Sequence, residues 1–104
     1  MKINEVSKIT GLTIRTLHHY DKIGLLKPKT NNNGYRIYDE SLVNKLFEII
    51  FLKNLGFSLD YIKNIINNEN YDKISALKNQ RALLIQKRNQ IDDLIKTIDN
   101  NLIG

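Results

Sequence analysis

The sequence predicts a mainly α-helical protein: a small head of four helices with a two-stranded ribbon, followed by one long helix of coiled-coil pattern. Three observations predict it. Apolar residues recur at three- and four-residue spacings through most of the chain. The only proline, Pro28, and the run Asn31-Asn32-Asn33-Gly34 interrupt that pattern once, around residues 25–38. From about Asp72 to Leu102 there is neither glycine nor proline, and apolar residues return every seven positions.

In order along the chain, Val6 and Ile9, with Leu12 beyond, fit a short amphipathic helix over about 4–10, with Gly11 as its stop. Thr13 is a good N-cap for a second helix over about 14–22, whose buried stripe is Ile14, Leu17 and Tyr20; Gly24 ends it. Two short helices joined by a tight glycine-containing turn form a helix-turn-helix pattern. Asn33-Gly34 is a hairpin signal, because both residues tolerate positive φ. Tyr35-Arg36-Ile37-Tyr38 alternates as a short strand does, and Leu25-Leu26-Lys27 is the expected partner strand. A two-stranded ribbon after a helix-turn-helix is a wing.

Asp39 or Ser41 caps a third helix over about 41–55, with Leu42, Leu46, Ile49, Ile50 and Leu55 as core positions and Gly56 as the stop. Ser58 caps a fourth over about 59–67, apolar at Leu59, Ile62, Ile65 and Ile66. Polar Asn67-Asn68-Glu69-Asn70 marks the boundary, giving a winged helix-turn-helix domain at 1–68 and a coiled-coil helix at 69–104. In that helix Leu77, Leu84, Ile91 and Ile98 lie seven apart, and Ile74, Ile95 and Leu102 occupy the neighbouring seam position. Arg81 and Arg88 stand in that second register, so the stripe is imperfect. Nothing else in the chain is free to cover it, so a second copy is the expected cover; folding back onto the head is the alternative.

Composition narrows the function classes. The 104 residues carry 16 Lys and Arg against 11 Asp and Glu. Residues 1–56 hold 9 basic and 5 acidic side chains, a net of +4, while 57–104 hold 7 and 6, a net of +1. The positive field belongs to the head and points to a polyanionic partner there. The absence of cysteine excludes disulfides and thiolate metal sites in these residues, and two histidines make no convincing zinc site. No carboxylate pair, phosphate-binding glycine loop or nucleophile triad is evident, so no enzyme activity and no cofactor is expected. The start has no signal peptide and no apolar run spans a membrane, so the expected location is cytoplasmic.

Helix 2 has one apolar face, which leaves Arg15, Thr16, His18, His19 and Lys22 on the other. Arg15, His19 and Lys22 at i, i+4 and i+7 group on one side. A recognition helix enters the major groove with its N-terminus leading, where arginine reaches a guanine edge or a phosphate and an early threonine donates to phosphate. Tyr35 and Arg36, beside a sharp turn, suit a sugar-phosphate backbone or a minor groove. Arg36 shows no packing role in the sequence; Tyr38 reads as strand packing.

At this point the words of the sequence resemble a known family. The segment Glu5 to Leu26, centred on Thr13-Ile14-Arg15-Thr16-Leu17-His18-His19-Tyr20, is similar to the start of MerR-family transcription regulators. Asn33-Gly34-Tyr35-Arg36-Ile37-Tyr38 looks like that family's wing, and Leu55-Gly56-Phe57-Ser58-Leu59 with Ile62-Lys63 like its helix 3–helix 4 junction. The resemblance implies a homodimer through an antiparallel coiled coil, bound to dyad-symmetric promoter DNA whose spacer it distorts for RNA polymerase. By position it assigns DNA contacts to Thr13, Arg15, Thr16, His19, Tyr20, Tyr35, Arg36 and Lys53. The His18-His19-Tyr20 wording resembles the multidrug- or thiopeptide-responsive branch, where many other members have Arg then Tyr. A protonated histidine still donates to phosphate, with a pH-sensitive contact. Members of that branch usually continue into an effector-binding domain, so the expectation is either a regulator that lacks a sensor or, the slightly favoured reading, an N-terminal piece of a longer protein. A recombination factor with the same winged head, and a coiled-coil adaptor that never touches DNA, are the alternatives. A promoter-spacer footprint separates the first, and binding at low salt the second.

Overall fold

The computed structural model describes all 104 residues: α1 (Ile3–Thr10), α2 (Ile14–Lys22), β1 (Lys29–Thr30), β2 (Arg36–Ile37), α3 (Glu40–Asn54), α4 (Leu59–Ile66) and α5 (Lys73–Ile103). The chain divides into two units, Met1–Glu69 and Asn70–Gly104.

Local capping chemistry explains most helix boundaries. Thr13 accepts from Thr16 N–H at 3.0 Å, Asp39 from Leu42 N–H at 2.8 Å, Ser58 from Tyr61 N–H at 3.2 Å and Asp72 from Ser75 N–H at 3.1 Å. Each satisfies a first-turn donor that the helix leaves orphaned. Asp39, not Ser41, is therefore the α3 cap. Between α1 and α2 the turn needs Gly11, which sits at φ 76° and donates to Ser7 C=O at 3.0 Å. Ser7 Oγ donates to Leu12 C=O at 2.6 Å, and Leu12 N–H donates to Thr10 Oγ1 at 3.2 Å, so the turn is closed from both sides.

The head packs α1 on α2 and α3, and α3 on α4. Val6, Leu17, Leu46, Ile49, Leu52 and Ile62 are each sealed from solvent, and Tyr20 and Tyr38 join them. Two expectations for the core need correcting. Ile14 and Ile9 are exposed, so the helix-turn-helix core is narrower than the apolar spacing suggested. The buried α3 stripe is Val43, Leu46, Ile49 and Leu52 rather than one running through Leu42, Ile50 and Leu55. α3 is apolar on nearly every face, so periodicity could not choose the side; Phe47 and Phe51 are left outside.

The wing strand that pairs with β2 is Lys29–Thr30, not Leu25-Leu26-Lys27; the register is Lys29↔Ile37 and Thr30↔Arg36. Leu25 and Leu26 are core residues, and both their N–H groups close the end of α2 by donating to Tyr20 C=O, at 2.9 and 3.3 Å. Burial outweighs strand pairing at those two positions, and the ladder starts beyond Pro28, which has no N–H to give. At the hairpin tip only Gly34 has positive φ, 83°. Asn31 Oδ1 organises the loop, accepting from the N–H groups of Asn33 and Tyr35 at 3.0 Å each. The first residues add a further edge: Lys2 bridges Ile37 in antiparallel sense, and Tyr38 N–H donates to Met1 C=O at 2.7 Å.

The second unit is α5, 31 residues long and about 46 Å at 1.5 Å per residue. Along it Ile74, Leu84, Ile91, Ile95, Ile98 and Leu102 are exposed, as are Leu83, Leu94 and Ile103, which the seven-residue pattern omits. Leu77 is half-buried. No helix is long and apolar enough to cross a membrane.

Candidate nucleic-acid interface

α2 buries Leu17 and Tyr20 and turns Arg15, His18, His19 and Lys22 to solvent. Arg15 and Lys22 carry no ion pair, so their charge is available. Thr13 and Thr16 share a hydroxyl hydrogen bond of 2.9 Å at the start of the helix. One of the two donates to the other, so one O–H remains to give. Thr16 is half-buried and Thr13 exposed. This places a donor beside an arginine at the leading end of the helix, the arrangement for a phosphate or a base edge.

Tyr20 is different. It is only 5% exposed, and burial raises its phenol above the ordinary value. Its ring belongs to the core. Tyr38 is buried as expected; burial raises its phenol, the Asp21 carboxylate raises it further and the Arg36 guanidinium opposes.

The wing shows what sequence spacing could not. Arg36 Nε lies 3.0 Å from Asp21 Oδ2, tying β2 to the last turn of α2. Its Nη1 donates to Pro28 C=O at 3.0 Å and to Thr30 Oγ1 at 3.2 Å. Arg36 therefore has the packing role that its sequence context hid. Asp21, fifteen residues earlier, is the residue sequence reasoning missed; no periodic or motif signal links the two. The pair is partly exposed, with the Arg36 side chain at 46% and Asp21 at 15%, so its stability contribution is about 1 kcal/mol after solvent screening. Its larger effect is geometric, because it fixes the hairpin against the helix. Tyr35 stands clear of the surface at 59% exposed, with Lys2 Nζ 5.4 Å from its ring centroid. Lys53 is exposed in the last turn of α3, and no hydrogen bond or ion pair joins it to α2 or to the wing. The structure thus brings Arg15, Thr16, His18, His19, Tyr35 and Arg36 onto one unit, with α2 and the wing linked through Asp21.

Residues 1–69 match the family described as MerR HTH family regulatory protein. The chain is 41% identical over 104 residues to the HTH-type transcriptional activator mta of Bacillus subtilis, covering 99% of this chain and 40% of that protein. The crystal structure of MtaN, the N-terminus of the Bacillus subtilis multidrug transporter activator, superposes with a TM-score of 0.96. It has 40% identity, over 100% of this chain and 99% of that one. The EcmrR–DNA complex in EcmrR-RPo, seen by cryo-electron microscopy, gives 0.81 at 34% identity, over 98% of this chain and 38% of that one. The chain spans about 40% of the length of the curated relatives it matches. The similarity to mta agrees with the branch to which the His18-His19-Tyr20 wording pointed. With its winged helix-turn-helix head and its match over residues 1–69, the chain belongs to the MerR HTH family of regulatory proteins.

Proposed function

We propose that this protein is a sequence-specific transcription regulator that binds a palindromic promoter as a homodimer and distorts the spacer DNA between its half-sites. The observation that carries the reading is the unpaired basic face of α2 set beside an ordered wing in the same unit. One reads a major groove, the other grips the flanking backbone. The proposed contacts are Thr13, Arg15, Thr16, His18, His19, Tyr35, Arg36 and Lys53, with Tyr20 limited to its hydroxyl. The head, 1–68, is the DNA-binding domain and 69–104 the dimerisation helix. RNA polymerase at the promoter is the proposed further partner, the location is cytoplasmic, and no catalytic step is assigned.

Dimerisation is proposed through Ile74, Leu77, Leu84, Ile91, Ile95, Ile98 and Leu102. Nine large apolar side chains exposed on one helix are far more than a lone surface helix presents. Charge supports an antiparallel sense. Residues 73–88 hold five basic and no acidic side chains, a net of +5. Residues 89–104 hold three acidic and one basic, a net of −2. Antiparallel pairing lays the basic half of one helix on the acidic half of its partner, and relieves Arg81 and Arg88 at the seam. Parallel pairing sets like on like.

The test is a titration of palindromic duplexes, recovered by selection from a random pool, across a salt series. Binding whose logarithm falls linearly with the logarithm of salt concentration supports the reading. Absence of binding at low salt overturns it and leaves a coiled-coil adaptor.

A further inference from the structure

The start of the chain lies against the wing, and the side-chain ammonium of Lys2 has no part in the DNA contacts proposed above. Lys2 pairs with Ile37 as a one-residue strand, and Met1 N donates to Tyr38 C=O at 2.7 Å while Tyr38 N–H donates back to Met1 C=O at the same distance. The backbone of residue 2 is therefore fixed by β2 rather than trailing in solvent. Its ammonium lies 5.4 Å from the Tyr35 ring centroid. It has no carboxylate partner.

Lys2 also lines a cleft of about 470 Å³ with Asn4, His18, Gly34, Tyr35 and Arg36. These residues come from three places: the start of α1, the exposed face of α2 and the wing. Two of the proposed DNA-contacting elements therefore share a concave surface, and Lys2 forms its third wall. The charge balance in this cleft is informative. Arg36 is neutralised by Asp21 at 3.0 Å, and its Nη1 is engaged by Pro28 C=O and Thr30 Oγ1. The free positive charge at the cleft is therefore that of Lys2, not of the arginine that the sequence favoured. Around it stand an imidazole, a phenol and a carboxamide, all of which donate hydrogen bonds. No carboxylate lines the cleft.

We propose that this cleft seats a backbone phosphate of duplex DNA, with Lys2 as its charge partner and His18 and Tyr35 as flanking donors. The first residues of the chain then act as a third DNA-anchoring element beside α2 and the wing. This rests on the DNA-binding reading above and deepens it. Lys2 supplies a point charge with three rotatable donors, the kind of group that binds phosphate without reading sequence.

The experiment compares the 104-residue chain with Lys2→Gln, Lys2→Arg and Arg15→Ala on one palindromic duplex selected by the parent chain. Anisotropy is measured from low to moderate salt. Loss of one phosphate contact lowers the slope of log K against log salt by about 0.9, so a dimer with two clefts loses about 1.8. Lys2→Gln is expected to show that reduced slope with affinity down roughly 10-fold near physiological salt, and Lys2→Arg is expected to restore both. Weaker binding at an unchanged slope means that Lys2 acts by bracing the wing, and overturns the proposal. An unchanged affinity also overturns it. Arg15→Ala and the parent chain separate this from the broader reading. If the parent binds no duplex at low salt, DNA binding itself fails; if the parent binds and only Lys2→Gln is silent, the cleft alone fails.

Discussion

The two units of this chain solve the problem of apolar surface in opposite ways. The head, with four short helices and a wing, seals Val6, Leu46, Ile49, Leu52 and Ile62 completely. α5 leaves Ile91 at 56% exposed, Ile98 at 59% and Leu102 at 79%, over a helix of 31 residues. Helical stability in water comes mainly from packing an apolar face, so a helix that packs nothing along most of its length is marginal. On the proposed dimer, the contrast predicts that the head's fold is intrinsic, whereas α5's stability depends on protomer concentration.

The sharpest way to break that contrast is to place charge in the middle of the α5 stripe. Leu84→Asp with Ile91→Asp is expected to abolish the dimer by sedimentation analysis and to cut duplex affinity on the order of 100-fold, because two heads no longer bind as one. The head's near-ultraviolet signal from its buried tyrosines is expected to stay. Its loss would show that the two units fold together. The mirror experiment is Leu46→Ala in the head. It removes a fully buried side chain and is expected to cost about 2–5 kcal/mol in unfolding free energy, read by urea titration. The dimer dissociation constant should not move. If it did, the division of labour between the units would be false.

A smaller effect is expected at the Asp21–Arg36 pair, which is polar and lies at the edge of the head. Asp21→Asn keeps the shape and removes the charge. Stability is expected to fall by about 1 kcal/mol, and duplex affinity by several-fold, as the wing loosens from α2. In stability Arg36→Ala should add little more, because both substitutions break the same link, but in duplex affinity it should cost more than Asp21→Asn, because it also removes the proposed backbone contact. Equal affinity losses would leave Arg36 only its role in holding the wing.

Legibility in the sequence follows the same division. Local chemistry was readable. Thr13, Asp39 and Ser58 are capping residues wherever they stand before an apolar run, and α1, α2, α4 and α5 fall within about two residues of their expected bounds. The seven-residue spacing of α5 was readable because it needs only one helix. Long-range choices were not. Leu25 and Leu26 look like a strand until the core claims them. The α3 stripe is ambiguous because Leu42, Phe47, Ile50 and Phe51 surround it with apolar alternatives. The exposed face of α2 was legible because a helix with one apolar side must have another side. Lys2 and Asp21 were not, since their roles depend on which strand and which turn the fold brings beside them. Tyr20 shows the other side of the same limit, a helix position whose packing was legible in the apolar stripe.

The smallest effect bears on where α5 begins. Asp72 is fully exposed, and its carboxylate accepts from Ser75 Oγ at 2.7 Å and from Ser75 N–H at 3.1 Å. Those two hydrogen bonds hold its pKa below the ordinary 3.8, the side-chain bond contributing most. A depressed carboxylate pKa in the folded state gives stability that is fully present above the unfolded value and is lost as pH falls through the folded one. The cap is therefore intact at neutral pH and weakens only below the ordinary carboxylate range. Circular dichroism of α5 should show a small loss of helicity on that acid limb, confined to the first turn. Asp72→Asn retains an N-cap side chain without the titrating charge, so its first turn should be insensitive to the same acidification. If the variant loses the same helicity over the same pH range, other carboxylates govern the acid response of α5. Its start would then be set by the apolar stripe rather than by its cap.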